Sequence, residues 1–135
     1  MSDTIKLEIA TPEAVVYSAD VEMVTLPAVQ GQIGILPQHV CLMTQMVPGE
    51  MIVRTKGHDE FMAVGEGLVE VTNAKISIAT NMAIAADKID EAAAEEARQR
   101  AADRLREKLS SEEIASVNAS LARALAQLRV KRRQR

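Results

Sequence analysis

The sequence has very few aromatic and cysteine residues. Its 135 residues include one tyrosine, Tyr17, one phenylalanine, Phe61, no tryptophan and one cysteine, Cys41. A single cysteine cannot form an internal disulfide, and it fits a reducing compartment. With so few aromatic rings to stack on bases and a formal net charge of −3, the chain is not expected to bind nucleic acid. Its core must be built from aliphatic and methionine side chains.

Long apolar runs and targeting signals are also absent. No stretch approaches the roughly 20 apolar residues that span a bilayer. The N-terminal segment MSDTIKLEIA carries acidic residues early, so it predicts neither a secretory signal nor an Arg-rich transit peptide. We therefore expect no direct membrane insertion, and if the protein works at a membrane, another protein must hold it there.

The sequence contains none of the common catalytic or nucleotide-binding motifs. Neither GxxxxGK(S/T) nor GxSxG occurs. Only His39, Cys41 and His58 offer an imidazole or thiol ligand, and three ligands fall short of a closed zinc site. We therefore predict no catalytic residue, no metal site and no cofactor in a chain that is not an enzyme on its own. A small metal-dependent hydrolase that uses these three side chains stays an alternative.

The first part of the chain, 1–86, has the period-two pattern of β-strands. Ile5, Leu7 and Ile9 alternate with polar residues, and Val21 with Met23 begins a second run of the same period. Several more short apolar runs follow, separated by glycine, proline and polar residues. This spacing indicates an antiparallel sandwich or barrel.

Turn signals separate these runs. The segment 72–74, TNA, predicts a tight turn, and 56–60, KGHDE, predicts a polar hairpin link. The glycine pairs at 31–34 and 65–67 are not followed by a helix start, so they predict tight turns rather than nucleotide loops.

The composition changes at residue 87. From 87–135 the chain has no glycine or proline and is rich in helix-forming residues. One apolar stripe runs from Ile89 to Leu109 by steps of four, and a second begins at Ile114. Between them, 110–113, SSEE, predicts a capping box that starts the second helix. We therefore predict a fold that is mainly β plus α, with a β domain followed by a two-helix antiparallel hairpin at 87–135.

The predicted hairpin is long but weakly held. Each helix is expected to be about 30 Å long. The stripes are rich in alanine, which buries little apolar area at about 25 cal/mol per Å². A permanently packed pair and a hairpin that opens both stay open as interpretations.

The second helix is strongly basic. No acidic residue follows Glu113, whereas the basic side chains include Arg123, Arg129, Lys131, Arg132 and Arg133. Such a segment is typical of a solvated helix end, an RNA contact or a contact to an acidic protein surface. Overall acidity and scarce aromatic residues disfavour RNA.

Several segments, in order, resemble the epsilon-subunit family of F-type ATP synthases. The longest is 26–39, LPAVQGQIGILPQH, where the family reads approximately LPG-x-x-G-E-x-G-I-L-P-G-H. The other similar segments are 9–13, IATPE; 48–50, PGE; 65–71, GEGLVEV; 87–90, DKID; and 124–130, ALAQLRV. Together they cover essentially the whole chain.

The resemblance implies a ten-stranded β-sandwich, residues 1–86, that binds the gamma subunit and sits on the ring of c subunits. It implies a central-stalk rotor subunit that couples proton flow, or sodium flow in some organisms, to ATP synthesis. It also implies that the hairpin can leave the sandwich, extend along gamma to the alpha and beta subunits, and restrain ATP hydrolysis. The alternative is an unrelated, non-enzymatic adaptor of the same architecture.

The resemblance also assigns interface residues. It implies a rotor interface at Gln30, Gly31, Gln32, Ile33 and His39. Gln32 stands where the family usually has an acid and Gln38 where it has glycine, which weakens any salt bridge there. We read the basic side chains of the second helix as contacts to beta: Arg123, Arg129, Lys131, Arg132 and Arg133.

A family motif for ATP binding is degenerate here. Members that bind ATP carry I/L-D-x-x-R-A, and the matching residues are Ile89, Asp90, Ala93 and Ala94. Alanine at 93 removes the guanidinium that would pair with phosphate. We therefore predict weak or no ATP binding.

The expected location follows from the resemblance and the N-terminus. The lack of a transit peptide favours a bacterial source, which places the protein at the cytoplasmic face of the inner membrane, peripheral through the complex. A plastid-encoded subunit stays an alternative.

Overall fold

The computed structural model describes residues 3–38 and 41–133. Ten strands come first, followed by a short 3-10 helix, Ala86–Lys88, and two α-helices. The strands are β1 (Ile5–Ala10), β2 (Val15–Val21), β3 (Met23–Ala28), β4 (Gly31–Ile35), β5 (Leu42–Met46), β6 (Gly49–Thr55), β7 (His58–Val64), β8 (Gly67–Val71), β9 (Lys75–Thr80) and β10 (Ala83–Ala85). The helices are α1 (Glu91–Arg104) and α2 (Ser111–Arg133). The predicted ten-stranded β part followed by two helices is confirmed.

The strands form a sandwich with the order β10-β7-β6-β3-β5-β8-β9-β1-β2, and β4 pairs with β3. The ladder between β1 and β9 is parallel, with Leu7 opposite Ile76. The expectation of an antiparallel arrangement is therefore wrong at this ladder. Period-two alternation is the same in both kinds of ladder, so it does not reveal strand direction.

The main core lies entirely within the β part. Leu7 and Ile9 of β1 are fully buried, as the alternation predicts. In β3 the buried residues are Val24, Leu26 and Ala28, so the predicted phase from Met23 is wrong. The chain bends at Glu22 between β2 and β3, and the period does not carry across this bend.

Two turns follow local chemistry. The predicted tight turn at 72–74 is confirmed, because the Thr72 N–H donates to the Lys75 carbonyl oxygen at 2.9 Å. The link between β6 and β7 is shorter than predicted: only Lys56 (φ 51°) and Gly57 (φ 79°) lie outside the paired strands. Positive φ at both positions is the geometry of a two-residue hairpin turn.

The first glycine pair is not a tight turn as predicted. The segment Gly31–Ile35 is strand β4, which pairs along β3 with Gly34 opposite Thr25. Only Gly31, with φ 119°, has the backbone conformation that favours glycine.

The helices differ in length more than predicted. Helix α1 is capped by the Asp90 carboxylate, which accepts from the Ala93 N–H at 3.1 Å, and it ends at Arg104. Its 14 residues span about 21 Å, whereas the 23 residues of α2 span about 35 Å. Leu105 is exposed, so extending α1 past Arg104 would bury little more apolar surface.

The predicted capping box is confirmed. The Ser110 N–H donates to Glu113 Oε1 at 3.1 Å, and the Glu113 N–H donates to Ser110 Oγ at 3.2 Å. These reciprocal bonds satisfy two backbone donors at the start of α2 and set the boundary of the hairpin.

Candidate functional site

The turn between β3 and β4 forms one exposed tip of the sandwich. Gln30, Gly31 and Gln32 are exposed there, Ile33 is half-buried, and neighbouring Val29 is 55% exposed. The structure therefore brings four of the predicted rotor-interface residues to a single hairpin end; the fifth, His39, lies outside the described residues. The exposed side chains at this tip are amides and an apolar group, so contacts there do not rest on a carboxylate.

A second exposed surface lies on the face made by β1, β5, β8 and β9. Met43 of β5 and Leu68 of β8 are 68% and 55% exposed. Together with polar Glu70 and Ser77 they line a shallow cavity of about 280 Å³. Sequence reasoning missed this face, although the sequence carries a signal for it. Leu68 is apolar, yet it alternates with Val69, whose side chain is buried on the opposite face of β8.

The sandwich is joined to the hairpin through α2. Ala126 and Val130 of α2 form a small cluster with Ala63 of β7, Ala86 and Ile89. Helix α1 packs on α2, and its buried residues within the helix are Ala94 and Ala101. Leu128 of α2 is also buried, and Phe61, Met82 and Ile84 pack partly buried against this cluster. Most of the other buried residues are alanines, each of which buries little apolar area.

The basic side chains of α2 have partners within the chain. Arg123 Nη1 donates to both carboxylate oxygens of Glu66, at 3.2 and 3.3 Å, and Asn81 Nδ2 donates to the same carboxylate at 3.1 Å. Burial raises the pKa of Glu66, but hydrogen bonds from its own backbone N–H, Asn81 and Arg123 outweigh burial and hold that pKa below its usual range.

Near the end of α2, Arg132 and Lys131 contact the start of the hairpin. Arg132 donates to Glu91 Oε2 at 3.1 Å and to Glu95 Oε2 at 3.2 Å, both on α1. Lys131 Nζ donates to the Ala86 carbonyl oxygen at 3.3 Å. Hydrogen bonding from Arg98, with a smaller contribution from Arg132, lowers the pKa of Glu95.

Among these cations, Arg133 and Arg129 differ most in their contacts within the chain. Arg133 Nε lies 3.1 Å from Glu50 Oε2, and its guanidinium lies over the Phe61 ring at 5.4 Å from the centroid. Arg129 is exposed, and within 3–38 and 41–133 it makes no ion pair. Four of the five residues assigned to beta are thus engaged within the chain when the hairpin is packed.

The residues of the degenerate ATP motif serve local structure. Ile89 is buried in the α2 cluster, Asp90 caps α1, and Ala94 is buried beneath α2. Ala93 is exposed, so the predicted stripe through Ala93 is shifted by one residue. A groove of about 610 Å³ opens between the two helices and Met82, lined in part by Arg100, Arg104 and Arg123.

We expect the isolated chain to bind ATP weakly or not at all. The groove holds guanidinium groups, but position 93 lacks the one that the binding motif supplies. Calorimetric titration of ATP into the full chain should show no saturable heat in the micromolar range. The matched variant Ala93→Arg should bind more tightly than the wild type. Micromolar affinity of the wild type would refute this expectation.

The residues that the structure describes, 3–38 and 41–133, carry neither a cluster of metal ligands nor a membrane-spanning helix. There, no group of three or more histidine, cysteine, aspartate or glutamate side chains is placed to hold a metal ion. In the same residues, neither helix is long and apolar enough to cross a membrane.

Two family models match consecutive parts of the sequence. Residues 4–86 match the ATP synthase delta/epsilon chain β-sandwich domain, and residues 87–132 match the long α-helix domain of the same chain. The chain belongs to the ATP synthase delta/epsilon family. The adaptor unrelated to ATP synthases, kept as an alternative above, is therefore wrong.

Relatives of similar length support the same assignment. The chain is 40% identical to the ATP synthase epsilon chain of Halorhodospira halophila over 128 residues, 93% of this chain and 91% of the relative. It is also 40% identical to the epsilon chain of Herpetosiphon aurantiacus over 131 residues, covering 97% and 96% of the two chains. For the epsilon chain of Alkalilimnicola ehrlichii the identity is 37% over 133 residues, covering 98% and 95%.

Solved structures share the fold at low sequence identity. A chain from the Euglena gracilis mitochondrial ATP synthase, in a structure of OSCP, F1 and the c-ring, matches with a TM-score of 0.74 at 19% identity, covering 88% of this chain and 76% of that one. A chain from the central stalk and c-ring of the Tetrahymena thermophila mitochondrial ATP synthase matches with a TM-score of 0.53 at 14% identity, covering 65% and 71%. At these identities the likeness concerns the fold.

Proposed function

We propose that this delta/epsilon-family chain is the non-catalytic central-stalk rotor subunit of a proton-translocating F-type ATP synthase, where it couples ion flow to ATP synthesis. The observation that carries the proposal is the match of both parts of the chain, in order, to the two domains of the family. The division into 1–86 and 87–135 as separate working units is supported by the core, whose main cluster contains only residues of the β part.

The sandwich offers two surfaces for the rotor. The apolar face around Met43 and Leu68 is the one we assign to gamma, because exposed apolar groups on neighbouring strands favour a protein partner. The tip at 29–33 is the one we assign to the c-ring, as the resemblance implies. The two assignments use separate strands of the sandwich, so one subunit can contact both partners at once.

The hairpin is assigned a regulatory role. Its contact with the sandwich is small and rich in alanine, which favours a small free-energy difference between packed and extended states. Residues 1–86 carry many more acidic than basic side chains, whereas α2 has no acidic residue after Glu113. An extended hairpin would exchange acidic partners on the sandwich for acidic partners on beta, and so restrain ATP hydrolysis while it lies against alpha and beta.

We expect ATP hydrolysis by the reconstituted catalytic complex to rise when the chain is stopped after Asp87. Removing the hairpin removes the arm that reaches alpha and beta, and it leaves the main core of the sandwich intact. The assay compares full-length and truncated chains at equal occupancy, checked by co-purification with gamma.

Other outcomes separate the parts of this proposal. An unchanged rate would make the hairpin a structural element without an inhibitory role. Loss of binding to gamma in both versions would contradict the rotor role itself. If hydrolysis stayed unchanged after Arg123, Arg129, Lys131, Arg132 and Arg133 were all replaced by alanine, their assignment to beta would be wrong.

The proposed location is the cytoplasmic face of the bacterial inner membrane, peripheral through the complex. Its support is the bacterial origin of the three epsilon chains to which this chain is similar. Fractionation of the source cells, with and without the membrane part of the complex, tests this location.

A further inference from the structure

A carboxylate is buried beneath the C-terminal end of α2. Glu50 of β6 is only 6% exposed and lies opposite Ala63 of β7 in the ladder. Burying a charged carboxylate is costly unless a counter-charge and hydrogen bonds compensate. Its Oε2 accepts no hydrogen bond from any of the described residues. Compensation of the negative charge of Glu50 therefore depends on the cation that lies next to it.

The cation next to it is Arg133, in the last turn of α2. Arg133 Nε is 3.1 Å from Glu50 Oε2, although the N–H is not aligned as a hydrogen bond. The guanidinium also lies over the face of Phe61, a geometry that adds cation–π attraction. The last turn of α2 thus carries the counter-charge that Glu50 needs, and Phe61 orients it.

The other two ion-paired arginines of α2 have different roles. Arg132 pairs with Glu91 and Glu95 of α1, so this contact moves with the hairpin when both helices leave the sandwich together. Arg123 does pair with the sandwich, but the Glu66 side chain is 42% exposed, and exposed ion pairs contribute little. Within residues 3–38 and 41–133, only the pair Arg133–Glu50 joins α2 to a buried charge of the sandwich.

We propose that Glu50, Arg133 and Phe61 form a latch that holds α2 on the sandwich and sets the population of the packed state. The latch rests on the proposed function, because it regulates the same hairpin that is proposed to restrain hydrolysis. Lifting α2 strips Glu50 of its counter-charge. It also frees Arg133, which cannot pair with Glu50 and with an acidic partner on beta at the same time.

Hydrogen exchange in the isolated full-length chain tests the latch without any ATPase assay. Glu50→Gln removes one charge with little change of shape, and Arg133→Gln removes one charge together with the guanidinium that lies over Phe61. We expect amide exchange across 124–130 to become roughly tenfold faster in Arg133→Gln, because this variant leaves the Glu50 carboxylate buried without its counter-charge in the packed state. Glu50→Gln removes the buried charge itself and leaves only an exposed guanidinium unpaired, so its acceleration should be smaller. Amides of β6 and β7 report whether the sandwich stays folded.

The matched control is Arg129→Gln, which removes the same charge from the same helix. Arg129 has no ion pair in the part of the chain that the structure describes, so exchange across 124–130 should stay at the wild-type rate. Equal acceleration in this control and in Arg133→Gln would overturn the latch, because net charge alone would then explain the effect. Because Arg133 is largely exposed, its variant keeps the test valid if Glu50→Gln perturbs the strand.

A double variant separates coupling from two independent effects. Glu50→Gln with Arg133→Gln should exchange no faster than the faster single variant, since both changes break one contact. If the acceleration in the double variant equalled the product of the two single accelerations, the latch would be contradicted. Hydrolysis by the reconstituted complex is measured separately: if exchange changes as expected but inhibition does not, the latch stands and the inhibitory role of the hairpin fails.

Discussion

Replacing Gly67 with alanine is expected to destabilise the sandwich by about 3 kcal/mol, at the upper end of the range for overpacking. A Cβ built at Gly67 would lie 2.2 Å from the Ala79 carbonyl oxygen and 3.0 Å from Thr80 Cα. Both are backbone atoms of β9, which pairs with β8 through Gly67 and Thr80. Because neither atom can rotate away, the strands must separate locally to make room.

Thermal unfolding of the full chain measures this effect. For a domain of this size, about 3 kcal/mol corresponds to a fall of the melting temperature of roughly 12–24 °C. Far-UV circular dichroism should show the loss of strand signal at the lower temperature. A melting temperature within a few degrees of the wild type would show that β8 and β9 adjust without strain.

Gly34→Ala is the matched control for this substitution. Its Cβ would come within 2.9 Å of Met23 Cε, which is the end of a flexible side chain. Methionine can rotate away, and alanine loses less backbone entropy than glycine, so we expect a change below about 1 kcal/mol. Similar destabilisation by both variants would mean that the glycine content of the strands, rather than the close approach at Gly67, determines stability.

Replacing Ala126 with aspartate is expected to release the hairpin while the sandwich stays folded. Ala126 is 4% exposed and packs with Ala63, Ala86, Ile89 and Val130. The side chains with which Ala126 packs are all apolar, so they offer no hydrogen bond to a carboxylate. Burying the new group would cost about 3 kcal/mol or more, which shifts the packed–open equilibrium by at least about a hundredfold.

Limited trypsin digestion monitors this release. Cleavage in 98–108, which contains five arginines or lysines on α1 and in the interhelical loop, should accelerate strongly when α1 and α2 are freed. Leu125→Asp is the matched control on the neighbouring residue, where a side chain that is 47% exposed keeps the new charge in water. If both variants were digested at the same rate, loss of helix propensity rather than burial of charge would account for the result.

The features predicted correctly from the sequence depend on residues that are close together in it. The capping box at 110–113 needs only a serine and a glutamate three residues apart, and their reciprocal hydrogen bonds are present. The alternation in β1 and the turn at 72–74 are also local patterns. The family segments at 26–39 and 65–71 further identified the architecture and family before any contact was known.

The features that sequence reasoning missed depend on distant pairings. The parallel ladder joins Leu7 to Ile76, and no local period reports such a partner. Helix α1 ends at Arg104, although its apolar stripe continues in the sequence to Leu109. The exposed face around Met43 and Leu68 appears only when strands β5 and β8 lie side by side.

The basic side chains of α2 show both what the sequence determined and what only the tertiary structure decided. Composition alone determined that this helix is basic and that an acidic surface suits it. Only the tertiary structure decided that Arg123 pairs with Glu66, Arg132 with α1, and Arg133 with buried Glu50. Helix and turn formation are decided by neighbours along the chain, whereas the partner of a charge is decided by packing, which brings together residues that no short-range pattern connects.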